Sequence, residues 1–251
     1  MDNRTKQQLR RPDQFVSTTE RGIHWASQNR RQAGTYAIIV VAAIGIFVGS
    51  YSWYGHRSAA ADDAFGAAMQ TYTTPIATPD QQVPPGTKTF SSESERAKAA
   101  NPAFVAVAQK YGMTSSGKTA EYFAGLTYME EDQTASAETA LKQSAGSWND
   151  NLSALSKQAL AHLYQQSGRD PQAIDLYNEL VKQNANSVPA GLAKIELAEL
   201  YQSEGKTDEA KKIYAELKDK DKDSEGKPGP AAELATEKLN PAPAGPGQQL
   251  Q

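Results

Sequence analysis

The sequence repeats itself at an interval of 36 and then 37 residues. Tyr128, Tyr164 and Tyr201 stand in one column, Ala137, Ala173 and Ala210 in a second, and Leu141, Tyr177 and Tyr214 in a third. Columns kept in step at this period mark a stack of helical hairpins, because each hairpin can bury its apolar face only against its neighbours. Within a unit the spacing predicts two helices. A small residue (Gly125, Ala161 or Ala198) sits three positions before the tyrosine and allows close helix approach. Gly168 and Gly205 then end the first helix, since glycine adopts a left-handed cap without steric cost. The second helix is expected to begin at a cap, Asp170 before Pro171 in one unit and Thr207 before Asp208 and Glu209 in the next. Its buried stripe runs through Ala173, Tyr177 and Leu180, and again through Ala210, Ile213, Tyr214 and Leu217.

A second feature divides the chain. Between Tyr36 and Tyr54 no residue is charged, and nineteen helical residues reach about 28 Å, close to the hydrocarbon thickness of a bilayer. Tyr36, Tyr51, Trp53 and Tyr54 stand where interfacial aromatics belong. Arg30 and Arg31 precede the run, whereas Arg57 on its far side is offset by Asp62 and Asp63, so the basic side predicts a cytoplasmic N-terminus and an exported C-terminal part in the inner, or plasma, membrane. A cleaved secretory signal is the competing reading, prompted by Ala59, Ala60 and Ala61. The leader of 35 residues and the length of the apolar run both exceed the pattern of a cleaved signal and favour an uncleaved anchor. Gly45 and Gly49 form G-x-x-x-G within the run, a spacing that would let a second helix, such as that of a homodimer partner, approach closely.

The expected organisation is therefore a basic leader over 1–35, a membrane helix over 36–54, an alanine-rich helix over 55–73, a Pro-rich extended linker over 74–90, helical repeats over 91–220, and a capping helix with a Pro/Gly/Gln tail over 221–251. Phe15, Val16, Ile23 and Trp25 allow a short amphipathic helix in the leader. A helix is expected from Ser91 or Ser92, with a break at Asn101-Pro102 before the stripe Phe104, Val107, Ala108, Tyr111 resumes. The fold class is all-α.

Composition narrows the function. Of the 26 Lys/Arg and 29 Asp/Glu, seven and three precede residue 55, so the part beyond carries a net charge of −7 and is unsuited to nucleic acid. Cysteine is absent, which removes disulfides, thiol catalysis and thiolate metal sites. His24, His56 and His162 are scattered without metal-ligand spacing, and no serine is flanked by a plausible base, so the sequence implies neither a catalytic constellation, a metal nor a cofactor. One motif points elsewhere: Gly112 to Thr119 matches G-x-x-x-x-G-K-[ST], in which Lys118 would meet nucleotide phosphates. Such a loop needs a preceding parallel strand, and the helical pattern on both sides favours a polar helix–helix turn instead.

The small-x-x-Tyr, Gly, Ala, aromatic pattern resembles a tetratricopeptide repeat over roughly residues 93–220. The whole layout of basic leader, single anchor, alanine-rich helix, linker and degenerate repeats is similar to the single-span family that includes the ancillary subunit of the bacterial SecYEG translocon. The units here are longer than the usual 34 residues, the early tryptophan is replaced by Glu121, Lys157 and Lys194, and the proline after the second helix is missing at Asn149 and Ala185. The resemblance implies a non-enzymatic, periplasm-facing scaffold that binds protein partners, among them the translocon, periplasmic chaperones or exported chains. An envelope scaffold for cell-wall or outer-membrane assembly is the alternative. It also implies an inner binding face on the first helix of each hairpin, at Tyr122, Leu126 and Met129, at Gln158, His162 and Gln165, and at Ile195, Glu199 and Gln202.

Overall fold

The computed structural model describes residues 25–77, 88–222 and 225–240, and these fall into two compact units, one ending at His56 and one beginning at Arg57. The expected leader helix, most of the Pro-rich linker and the C-terminal tail lie outside the described residues. Among those described there is no strand, only isolated bridges such as Ile76 with Phe90.

In the first unit, helix α1 (Arg30–Tyr72) begins and runs on past the unit's end. The sequence suggested separate helices over 36–54 and 55–73. One helix is found because neither Gly55 nor Ser58 imposes a non-helical backbone, and a change of composition does not by itself break the hydrogen-bond ladder. From Tyr36 to Tyr54 every side chain is exposed, including Ile38, Phe47 and Trp53. The segment is long and apolar enough to cross a bilayer by length and composition, with a mean hydropathy of 2.0. Nothing lies within 4 Å of a side chain placed at Gly45 or Gly49.

In the second unit, the part of α1 from Arg57 onward packs with α2 (Glu93–Tyr111) and α3 (Ser115–Glu130). Ala61 and Ala68 are buried, and Phe65 and Tyr72 meet Phe104 and Phe123 at ring distances of 5.6–5.9 Å. The Tyr72 hydroxyl donates to Glu130 at 2.6 Å, and burial raises its pKa. The alanine-rich segment is thus part of the core of the helical stack.

Helix α2 carries a buried stripe of Ala97, Ala100, Phe104, Val107 and Tyr111, and it runs unbroken through Pro102. The expected break is absent because tertiary contacts override the local cost of proline. Asn101 is buried and its amide donates to Thr127 Oγ1 at 2.8 Å, fixing the helix to α3 at the residue before the proline.

The repeats follow as α3 with α4 (Thr134–Ala145), α5 (Asp150–Gln166) with α6 (Asp170–Gln183), and α7 (Ala190–Ser203) with α8 (Thr207–Lys220), closed by α9 (Pro230–Leu239). All three alanines of the second column are at most 1 % exposed, and Leu141, Tyr177 and Tyr214 of the third are buried. The small column faces the third column of its own hairpin: a side chain at Gly125 would come within 2.7 Å of Leu141.

Each first helix ends in the same way. The tyrosine carbonyls of 128, 164 and 201 each accept from the amide five residues later, at 2.8 Å in all three units. The residues at 132, 168 and 205 take positive φ, as in a Schellman cap. Gly168 and Gly205 do so without strain, and Asp132 (φ 57°) fills the position in the first repeat, where the sequence offers no glycine. The second helices differ from expectation at their starts. Asp170 and Thr207 are the first helical residues, and Arg169 and Lys206 at the cap positions make no side-chain cap bond, because guanidinium and ammonium groups have no acceptor for the helix N–H groups.

Candidate protein-binding surface

The first helices α3, α5 and α7 carry the residues expected to form an inner face, and the structure separates them into three kinds. Tyr122, Leu126 and Met129 are half-buried and packed against the central core cluster. Ile195 is 6 % exposed and belongs to the C-terminal core with Ala198, Tyr214, Ala231 and Ala235. It is removed from any open face because α9 lies over α7 as the first helix of a further repeat would, bringing Ala231 close to Gly191.

The remaining positions form a polar surface between α5 and α7. The Gln158 amide donates to Glu196 Oε1, and the His162 imidazole Nε2 stands 3.4 Å from Glu196 Oε2. Gln165 accepts from the Tyr177 hydroxyl at 3.0 Å, and burial raises the tyrosine's pKa, with the Glu196 charge adding to the effect. Glu199 pairs with Lys238 of α9 at 2.7 Å, while Gln202 is exposed. His162 and Glu199 keep nearly half of their side chains in solvent, so the surface is open, hydrated and acidic at its α7 side. Glu196 and Lys238 were not among the residues singled out from sequence, and Tyr177 was read there only as part of a buried stripe. Glu196 lies one position from the column read as inward-facing, and only the angle between successive hairpins shows that the neighbouring position is turned to α5.

On the opposite side, a cleft of about 580 Å³ opens between α2 and α4 over α3, floored by Ala108, Ala124 and Ala140 and rimmed by Gln109, Glu121 and Gln143.

The turn inside the second hairpin is tied electrostatically to α4 of the first. Glu138 on α4 accepts from Arg169 at 2.8 Å, from Lys142 at 2.6 Å and from the Tyr164 hydroxyl at 3.0 Å, and Arg169 lies 4.2 Å over the Tyr164 ring. Hydrogen bonds from Arg169 and then Lys142 hold the Glu138 pKa down to about 2. A carboxylate depressed in the folded state stabilises it above the unfolded pKa of about 4.3 and loses that contribution as pH falls toward 2. Glu138→Gln is therefore expected to cost about 1 kcal/mol at pH 7 and nothing extra near pH 2, measured by urea unfolding at both values. An equal loss at both pH values would assign the effect to packing.

The motif from Gly112 to Thr119 is a helix–turn–helix. Thr114 caps α3, its hydroxyl accepting from the Gly117 amide at 3.1 Å, and Lys118 within the helix pairs with Glu121 at 2.9 Å. Gly117 is needed for packing, since a Cβ there would stand 1.9 Å from the Tyr111 carbonyl oxygen. The element before it is helix α2, not the strand that a phosphate-binding loop requires. No group of residues suited to a metal occurs among those described.

These features define a tetratricopeptide-like helical-repeat protein. Models of the tetratricopeptide repeat match residues 158–186, covering the second half of α5 and all of α6, and residues 193–224, covering most of α7 and all of α8. A crystal structure of a point variant of nearly identical TPR-like repeats, assigned to a kinesin light chain of Podosopora anserina, superposes with a TM-score of 0.51 at 17 % identity, covering 73 % of this chain and 84 % of that one. A second structure of those repeats gives 0.49 at 17 % identity, with 71 % and 82 % covered. At that identity the likeness is one of fold. The comparison with curated proteins gave no match.

Proposed function

We propose that this protein is a membrane-anchored scaffold whose helical repeats bind protein partners outside the cytoplasm. The observation that carries the reading is the joining, in one chain, of an apolar helix with every side chain exposed from Tyr36 to Tyr54 to a stack of hairpins with an open polar face. Stacked hairpins expose a long, shaped surface, and no catalytic constellation was found in the sequence, so binding rather than chemistry is the activity this architecture supplies. The positive-inside charge pattern orients the anchor with the leader in the cytoplasm. The resemblance of the layout to the ancillary subunit of the SecYEG translocon supports a more specific role, accompanying the translocon and passing exported chains to chaperones.

The site is the surface of His162, Gln158, Glu199 and Gln202. A photoreactive residue placed at His162 or Gln202 in cells is expected to capture a translocon component or an exported chain. The same group at Asp175, exposed on α6, is expected not to. Capture of cell-wall or outer-membrane assembly proteins instead would replace the translocon role with envelope scaffolding. Stronger capture from Asp175 than from either inner position would move the site to the other face.

A further inference from the structure

The loops that join each hairpin to the next lie along one edge of the second unit. Arg57, the first residue of that unit, donates to the Lys110 carbonyl at the end of α2, and Ser116 at the start of α3 bonds Asp62. The edge continues as Ser144 bonds the Lys118 carbonyl at 3.4 Å, Ser153 the Ala145 carbonyl at 2.7 Å, and Gln183 the Asp150 carbonyl at 3.0 Å. It closes where Gly229 donates to the Asp221 carbonyl before α9.

This edge gathers the unit's exposed apolar side chains. Beyond residue 56, the large hydrophobic residues exposed among those described are Met113 (77 %), Trp148 (75 %), Leu192 (37 %) and Leu234 (38 %). Met113 and Trp148 lie in the loops of this edge, Leu192 in the first turn of α7 and Leu234 in the second turn of α9. The edge carries charge of both signs. Lys110, Lys142, Lys182, Lys218 and Lys220 occupy the last turns of the helices that end there, and Asp62, Asp63, Asp150, Asp219, Asp221 and Glu233 stand among them. The helix starts at the other edge carry acids, among them Glu93, Asp170, Asp208 and Glu209. Helix dipoles alone favour this distribution of charge, but they do not favour an exposed tryptophan and methionine.

We propose that this edge rests on the head-group surface of an anionic bilayer, with Trp148 and Met113 inserted at the interface and Lys110, Lys182 and Lys218 facing lipid phosphates. The inference rests on the reading of residues 36–54 as a membrane anchor, because the chain leaves that segment at Arg57, on the same edge. A tryptophan with an apolar body and a polar N–H suits the interface, and lysines near it gain attraction from anionic lipid.

The chain has no cysteine, so single labels can be placed cleanly. Spin labels at Met113→Cys, at Ser147→Cys beside Trp148, and at Ser167→Cys on the other edge would be read in the full-length protein reconstituted into vesicles containing phosphatidylglycerol. The labels at 113 and 147 are expected to show a several-fold higher ratio of oxygen to water-soluble nickel accessibility than the label at 167. The difference should shrink in vesicles of phosphatidylcholine alone and in the Trp148→Ser variant of the 113-labelled chain. Protection of the 36–54 segment from protease, read in the same vesicles, separates the two ideas. A protected segment with all three labels equally wet overturns the edge contact and leaves the anchor. An unprotected segment overturns both.

Discussion

Ala173→Asp is expected to unfold the middle of the repeat stack. Ala173 is fully buried on α6, in the column that meets the first helix of its own hairpin, and its surroundings are Tyr164, Tyr177, Leu180 and other apolar side chains of the central cluster. A carboxylate there has neither room nor partner, at a cost of about 3–5 kcal/mol, a large part of the 5–15 kcal/mol that stabilises a domain. Ala210→Asp removes an equivalent contact on α8, but that hairpin is bounded by α9 and lies near the end of the stack. In a nearest-neighbour array a central unit has two interfaces to lose, so the loss at Ala173 is expected to be the greater. Urea unfolding followed by helical circular dichroism measures both, with Asp175→Ala on the exposed side of α6 as a control within about 0.5 kcal/mol of the parent. Tolerance of aspartate in both columns would contradict the stacked-hairpin fold.

Gly117→Ala is expected to be nearly as damaging, although it adds a single methyl group. The new Cβ would sit 1.9 Å from the Tyr111 oxygen, 2.4 Å from its carbonyl carbon and 2.9 Å from the Gly112 nitrogen. All three are backbone atoms, so α2 and α3 must separate, and about 2–4 kcal/mol is lost. Lys118→Ala beside it removes only a partly exposed pair with Glu121 and is expected to change stability by about 1 kcal/mol or less. The contrast distinguishes a packed turn from a phosphate loop. Binding of labelled ATP abolished by Lys118→Ala would reverse that interpretation.

Much of the fold was legible because the repeats state their packing in residue size. The alanine column, the aromatic column opposite it and the glycines at 168 and 205 each have one physical use, and the structure puts them to it. The misreadings have a common origin in contacts distant along the chain. Pro102 suggested a break, but Asn101 reaches across to Thr127 and holds the helix in place. The first repeat lacks the capping glycine, and Asp132 serves because the turn itself is fixed by the Tyr128 and Met129 carbonyls. Ile195 matched Tyr122 and Gln158 by spacing, yet α9 covers it, and a repeat period cannot show that the last unit has a different neighbour. For the proposed binding surface, the sequence indicates a choice of helices. Which flank of α7 faces α5 depends on the angle between hairpins, and the spacing of residues does not encode that angle.

The central claim is that the repeats are held by an anchor on the outer side of the membrane, and a dual reporter fused after Gln251 tests it most directly. One half is active only outside the cytoplasm and the other only within it. The account predicts activity of the external reporter, retained in the membrane fraction after alkaline extraction. Activity of the cytoplasmic reporter would contradict the orientation, and release of an externally active fusion as a soluble protein would contradict the anchor.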